Sequence, residues 1–176
     1  MALIGKTTEE KIWNYLYENI KNKYGVAGLM GNLYAESALN PIDLEDKYNK
    51  QFGLTDEQYT ARVDSGVYKN FVKDAAGYGL AQWTYWTCKE AMLKYAKSVN
   101  KSIGDLEMQL EFLIKDLKNY ERVWNTLLTA KTVREASDMV LLKYEIPYDR
   151  STKVQELRTS YGMTYFNKYG DTKQTS

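Results

Sequence analysis

The sequence predicts a mainly α fold, and three observations carry that prediction. Apolar residues recur at three- and four-residue spacing through most of the chain. Only two prolines stand among 176 residues to interrupt helices. Hydroxyl residues followed by acids or glutamine, the chemistry that caps a helix start, precede several of the periodic runs. Any β structure is expected to be one small hairpin, within 41–76 or near 77–80.

The first element opens at Thr7-Thr8-Glu9-Glu10, where hydroxyls cap and acids meet the positive end of the helix dipole. Ile12, Trp13, Leu16, Tyr17 and Ile20 follow on one face, and the helix is expected to run to about Lys23 and break at Gly25. A second helix over 26–37 is apolar nearly all round, which predicts a central, buried element. Asn40-Pro41 closes it, because a residue before proline avoids the helical region. Residues 41–76 are polar and irregular, the kind of segment that carries binding and catalytic loops. Within them Asp43 to Tyr48 has one or two turns of helix, Thr55 and Gln58 form a capping box opening a helix to about Asp64, Ser65-Gly66 turn, and 68–72 reads as amphipathic. Helices are then expected over 84–99, with Trp86, Ala91, Met92 and Tyr95 inward, and over 105–120, with Leu106, Leu110, Leu113, Ile114 and Leu117 inward. A short piece at 123–128 follows. Thr132 and Glu135 open a helix to Tyr144 that Ile146-Pro147 ends, and 152–169 makes the last one.

Composition removes several chemistries. There is no histidine, so Ser-His-Asp and Cys-His catalysis and the usual zinc ligands are excluded within this chain. The single cysteine, Cys88, has no partner for an internal disulfide and reads as a buried, inert thiol. No metal site and no cofactor are expected. A net charge of +1 gives no electrostatic case for nucleic acid or an anionic membrane. What remains is carboxylates, hydroxyls, amides and lysines. The 14% aromatic content fits either a tyrosine-rich core or a groove that stacks on sugar faces or bases.

Two stretches can carry such chemistry. In Gly31-Asn32-Leu33-Tyr34-Ala35-Glu36-Ser37-Ala38-Leu39-Asn40-Pro41, Glu36 leaves the end of the apolar helix among Leu29, Met30, Leu33 and Ala35. Apolar surroundings raise a carboxyl pKa and suit a general acid near neutral pH, while the plain alternative is a solvated glutamate at a helix end. In Ala75-Ala76-Gly77-Tyr78-Gly79-Leu80-Ala81-Gln82-Trp83-Thr84, two glycines allow close backbone approach and Gln82 offers a donor and an acceptor. Trp83, Tyr85 and Trp86 follow. This resembles the wall of a polysaccharide cleft, and it also fits a tight turn entering a helix whose aromatics pack inward.

The segment 35–41 resembles the catalytic helix end of lysozyme-like transglycosylases and phage tail lysozymes, and 77–84 is similar to their second motif, a glycine, an apolar pair and a glutamine. Trp83-Thr84 and the late Tyr144-Glu145-Ile146-Pro147 resemble the phage tail lysozyme group more than goose-type lysozymes or soluble lytic transglycosylases. The resemblance covers nearly the whole chain. It implies a lysozyme-like α+β domain over 1–170 with a central buried helix, followed by a polar tail at 171–176. It implies a peptidoglycan hydrolase of muramidase type, with Glu36 protonating the glycosidic oxygen. Tyr78, Gln82 and Trp83 would lie along the cleft, and Ser37 beside Glu36. Inverting hydrolysis needs a second carboxylate roughly 6.5–9.5 Å from the acid. Asp74, shortly before the second motif in a placement similar to an aspartate of goose-type lysozymes, is the expected base, with Asp64 and Asp43 competing.

Two other outcomes stay open: a lytic transglycosylase giving anhydro products, and a catalytically silent wall-binding or structural module. The expected partner is bacterial peptidoglycan, met by a monomeric domain of a larger phage tail, endolysin or secretion-associated protein. No nucleic acid or membrane partner is expected. The first residues are too short for a signal peptide, so an extracellular or virion-associated place of action implies delivery by another route.

Overall fold

The computed structural model describes residues 2–171, so the tail expected at 171–176 lies outside them from 172 on. Of the described residues 65% are helical. In order come α1 (Thr8–Ile20), α2 (Lys23–Ser37), α3 (Asp46–Phe52), α4 (Asp56–Asp64), α5 (Trp86–Ser98), α6 (Leu106–Lys118), α7 (Glu121–Thr129), α8 (Val133–Val140) and α9 (Thr152–Tyr169). Among the described residues β structure amounts to two isolated bridges, Leu44 with Tyr78 and Tyr78 with Trp83. The fold is mainly α, as the periodicity predicts, and is consistent with the lysozyme-like domain that the resemblance implies.

The chain forms two compact units, one of residues up to Ala35 with those from Ile114 on, the other Glu36–Leu113. In the first, residues 25–33 of α2 are buried without interruption. Gly25 does not break the helix. Lys21, in left-handed backbone at φ 55°, ends α1, and Gly25 lies inside α2 because a Cβ there would come within 2.0 Å of Leu127 O. Gly28 and Gly31 repeat the arrangement: a Cβ would meet Ser137 N at 2.6 Å and Gly162 N at 2.5 Å. The glycines are where α7, α8 and α9 approach the α2 backbone. Asn32 is buried among them and satisfied, its Nδ2 donating to Gly28 O at 3.0 Å and Ser137 O at 3.1 Å, its Oδ1 accepting from Arg158 at 3.0 Å.

The caps follow the local chemistry. Thr7 Oγ1 accepts from Glu10 N, Thr55 and Gln58 close a reciprocal capping box, Thr132 accepts from Glu135 N, and Ser151 accepts from Val154 N. The helix expected to reach Tyr144 stops at Val140. It passes into a π-helical turn, Leu141–Glu145, before Ile146 turns left-handed at φ 45°. In the stretch that reads as amphipathic, residues 68–70 are irregular and 71–73 form a turn.

In the second unit the core gathers Leu44, Tyr59, Phe71, Tyr78, Leu80, Met92, Leu110 and Leu113. On α5 the inward face differs from expectation. Met92 is buried and Tyr95 half-buried, but Trp86 and Ala91 are exposed, and Lys89 takes the inward position one turn before Met92. Cys88, expected to be buried, is half-buried.

Candidate active site

The second unit begins with Glu36, the penultimate residue of α2, and its side chain is half-buried. Directly after Ser37 the chain turns through two consecutive left-handed residues, Ala38 at φ 51° and Leu39 at φ 63°. Neither is glycine, so both are conformationally costly and must be held by their surroundings. Asn40 N–H donates to Ser37 O at 3.0 Å, and Asn40 Oδ1 accepts from Ile42 N at 3.1 Å, which closes the bend that leads to Asp43. The helix stops here, before Pro41 can act.

The second motif is a turn clipped at its base. Tyr78 and Trp83 exchange backbone hydrogen bonds at 3.2 and 3.1 Å, with 79–82 between them. Gly79 has φ 83°, which favours glycine, and a Cβ there would collide with the Gln109 amide at 2.8 Å. Gln82 is itself left-handed, at φ 51°.

Leu80 joins this turn to the helix end. Its carbonyl accepts from Ser37 Oγ at 2.8 Å and its N–H donates to Gln109 Oε1 at 3.0 Å. Gln109 Nε2 in turn donates to Pro41 O at 2.6 Å and Ile103 O at 2.8 Å. Ser37 is buried, so its hydroxyl fastens the backbone behind Glu36. Gln109 was not foreseen; its one signal is an amide between two apolar residues, Met108 and Leu110.

Gln82 faces an acid. Its Nε2 donates to Asp43 Oδ2 at 3.0 Å, Asp43 O at 2.9 Å and Gly79 O at 3.2 Å. Asp43 is half-buried, and loss of hydration pushes its carboxyl up to about 7, helped by the nearby charges of Asp56 and Asp46. Glu45, two residues on, accepts from Gly77 N at 3.1 Å and approaches Lys47 at 3.3 Å.

Asp74, the expected base, has a different environment. Its side chain is 1% exposed. Oδ2 accepts from Tyr59 at 2.6 Å and Tyr68 at 2.8 Å; Oδ1 accepts from Ala76 N at 3.0 Å and Lys89 Nζ at 2.5 Å. Four donors occupy the carboxylate, so the geometry argues for a holding role, with no lone pair left for a water. Lys89 also donates to Ala76 O at 2.7 Å and lies 4.4 Å from the Phe71 ring centre. Burial lowers the Lys89 pKa, against the raising effect of Asp74, and burial together with the Asp74 hydrogen bond pushes the Tyr59 hydroxyl up. Asp64 is engaged elsewhere, accepting from Ser102 Oγ and from Ile103 N at 2.9 Å.

The two cleft aromatics also lie inward. Tyr78 is 0% exposed, its hydroxyl 2.6 Å from Thr60 Oγ1, and Trp83 is 5% exposed with its ring edge-on to Phe112. Neither presents a free face to a sugar. The exposed aromatics of this segment are Tyr85 and Trp86. The structure thus ties Ser37 to the turn whose Gln82 holds Asp43, at the end of the helix that bears Glu36, and sets Asp74, Tyr78 and Trp83 among buried side chains.

Both motifs fall within one long correspondence: the family model for phage tail lysozymes matches residues 7–169, nearly the whole chain. The chain belongs to the phage tail lysozyme family, and its activity is of the lysozyme-like, peptidoglycan-lytic kind.

Proposed function

We propose that this protein is a glycoside hydrolase that cuts the glycan strand of bacterial peptidoglycan, with Glu36 as general acid and Asp43 as the second carboxylate. The observation that carries the reading is the Ser37–Leu80–Gln109 fastening. It ties the end of the helix that bears Glu36 to the turn whose Gln82 amide holds Asp43. A proton passes from the Glu36 carboxyl to the glycosidic oxygen as the C–O bond breaks and positive charge develops on the sugar ring. Asp43 takes a proton from a water, whose oxygen forms the new bond to the anomeric carbon. A base with a pKa close to the working pH suits that step, and Asp43 at about 7 has it. Membership of a phage tail family supports a virion-associated enzyme, and we assign its place of action to the outer face of the bacterial wall.

A second outcome on the same site is a lytic transglycosylase, favoured by the raised Asp43 pKa, which keeps much of that carboxyl protonated below pH 7. There the sugar's own hydroxyl attacks and the product is one water lighter. Mass spectra of digested wall separate the two: reducing-end products with an added water support hydrolysis, and anhydro products overturn it.

A further inference from the structure

We propose that Tyr85 and Trp86 form an aromatic stacking subsite for a sugar ring of the glycan strand, next to the Gln82 turn. The inference rests on the glycan-cleaving reading above and goes beyond it by assigning a subsite. Tyr85 is 78% and Trp86 55% exposed, whereas Trp13 and Trp83 are buried and Tyr78 is fully enclosed. Two exposed aromatic side chains, consecutive in the chain at the start of α5, leave apolar surface in water that a binding partner would cover.

The backbone beneath them is firmly held. Thr84 Oγ1 donates to Gln82 O at 2.9 Å, so the residue before Tyr85 is tied to the turn that holds Asp43. Tyr85 is the N-cap of α5, and its carbonyl accepts from Lys89 N at 3.0 Å. Lys89 is itself anchored in the core by Asp74 and Ala76 O. The exposed rings therefore stand on an ordered support, which limits the entropy lost when a ligand stacks on them.

The neighbours favour a sugar over a wholly apolar partner. A pyranose presents C–H groups on its faces and hydroxyls at its rim. Aromatic faces carry negative quadrupole charge that attracts those C–H groups. Half-buried Gln82, Asp43 and Glu45 lie at the same turn and offer hydrogen-bonding chemistry for a hydroxyl or N-acetyl rim. A lipid or a flat protein face would not match that mixture.

The test measures sedimentation with purified peptidoglycan sacculi, in the cold and in a Glu36→Gln background so that the wall stays intact. Soluble β-1,4-linked N-acetylglucosamine oligomers serve as competitor. Tyr85→Ala with Trp86→Ala should weaken binding by roughly tenfold or more, given typical aromatic stacking. Trp86→Phe should recover most of it, and Tyr148→Ala, at a fully exposed aromatic in the other unit, should change nothing. All three variants should keep the helical circular dichroism of the Glu36→Gln chain, as expected for exposed positions. Undiminished binding by the double variant overturns the proposal. So does an equal loss in Tyr148→Ala, which would make the effect one of general surface apolarity, or failure of the oligosaccharide to compete. Full wall clearing by Glu36→Gln would sink the catalytic reading while leaving this binding result to stand by itself.

Discussion

Asp43 and Asp74 carry the same functional group and have opposite surroundings. Asp74 receives four hydrogen bonds, one from a buried lysine, whereas Asp43 receives a side-chain amide, lies near two other acids and keeps partial access to water. Removing one partner of a buried ion pair leaves the other charge uncompensated, which costs about 3–5 kcal/mol. Lys89→Met should therefore lower the stability of the whole domain by that order, read by urea denaturation. Asp43 behaves oppositely. Its folded pKa lies above its unfolded value, so the folded state binds more protons across the window from about 4 to about 7. Its contribution to stability must then fall as pH rises through that window. Asp43→Asn should flatten the difference in Tm between pH 5 and pH 8, raising the value at pH 8. If Asp43 is the base, parent activity should rise with pH along a limb near 7, and the variant should lose that limb with most of its rate. A variant with parental rate and parental pH profile would remove Asp43 from the mechanism.

At the scale of elements, what was legible in the sequence was what is local. Thr7, Thr55 and Thr132 cap where their spacing to Glu10, Gln58 and Glu135 says they must, because an N-cap depends on residues three positions away. The buried character of α2 followed from its unbroken apolar run. Gly25 was misread as a breaker because its reason lies in Leu127, a hundred residues on, whose carbonyl needs the space of a side chain. Tyr78 and Trp83 belong to the same class of miss. Loop aromatics next to a motif read as cleft walls until Thr60 and Phe112 are seen to enclose them. Lys89 left a faint signal, a lysine at the spacing of Met92 and Ala96 on the core face of α5. The glycine rule gives a test at this scale. Gly28→Ala puts a Cβ 2.6 Å from Ser137 N, so despite its higher helix propensity the variant should lose about 1–3 kcal/mol by denaturant unfolding. Neutral or higher stability would mean that α8 is free to withdraw from α2.

For the molecule as a whole, the family correspondence over residues 7–169 and the mainly helical fold agree with what the two motifs imply in sequence order. The proposal of Glu36 as proton donor rests on chemistry: a chain with no histidine, a half-buried glutamate at a helix end, and a bend of two left-handed residues just after it in the chain. The most direct measurement is the rate at which Glu36→Gln clears a suspension of purified peptidoglycan, beside parent protein of matched helical circular dichroism. The amide has the carboxyl's shape and cannot supply its proton. The account predicts loss of clearing by at least about a hundredfold with sedimentation on the wall retained; clearing at the parental rate would contradict it.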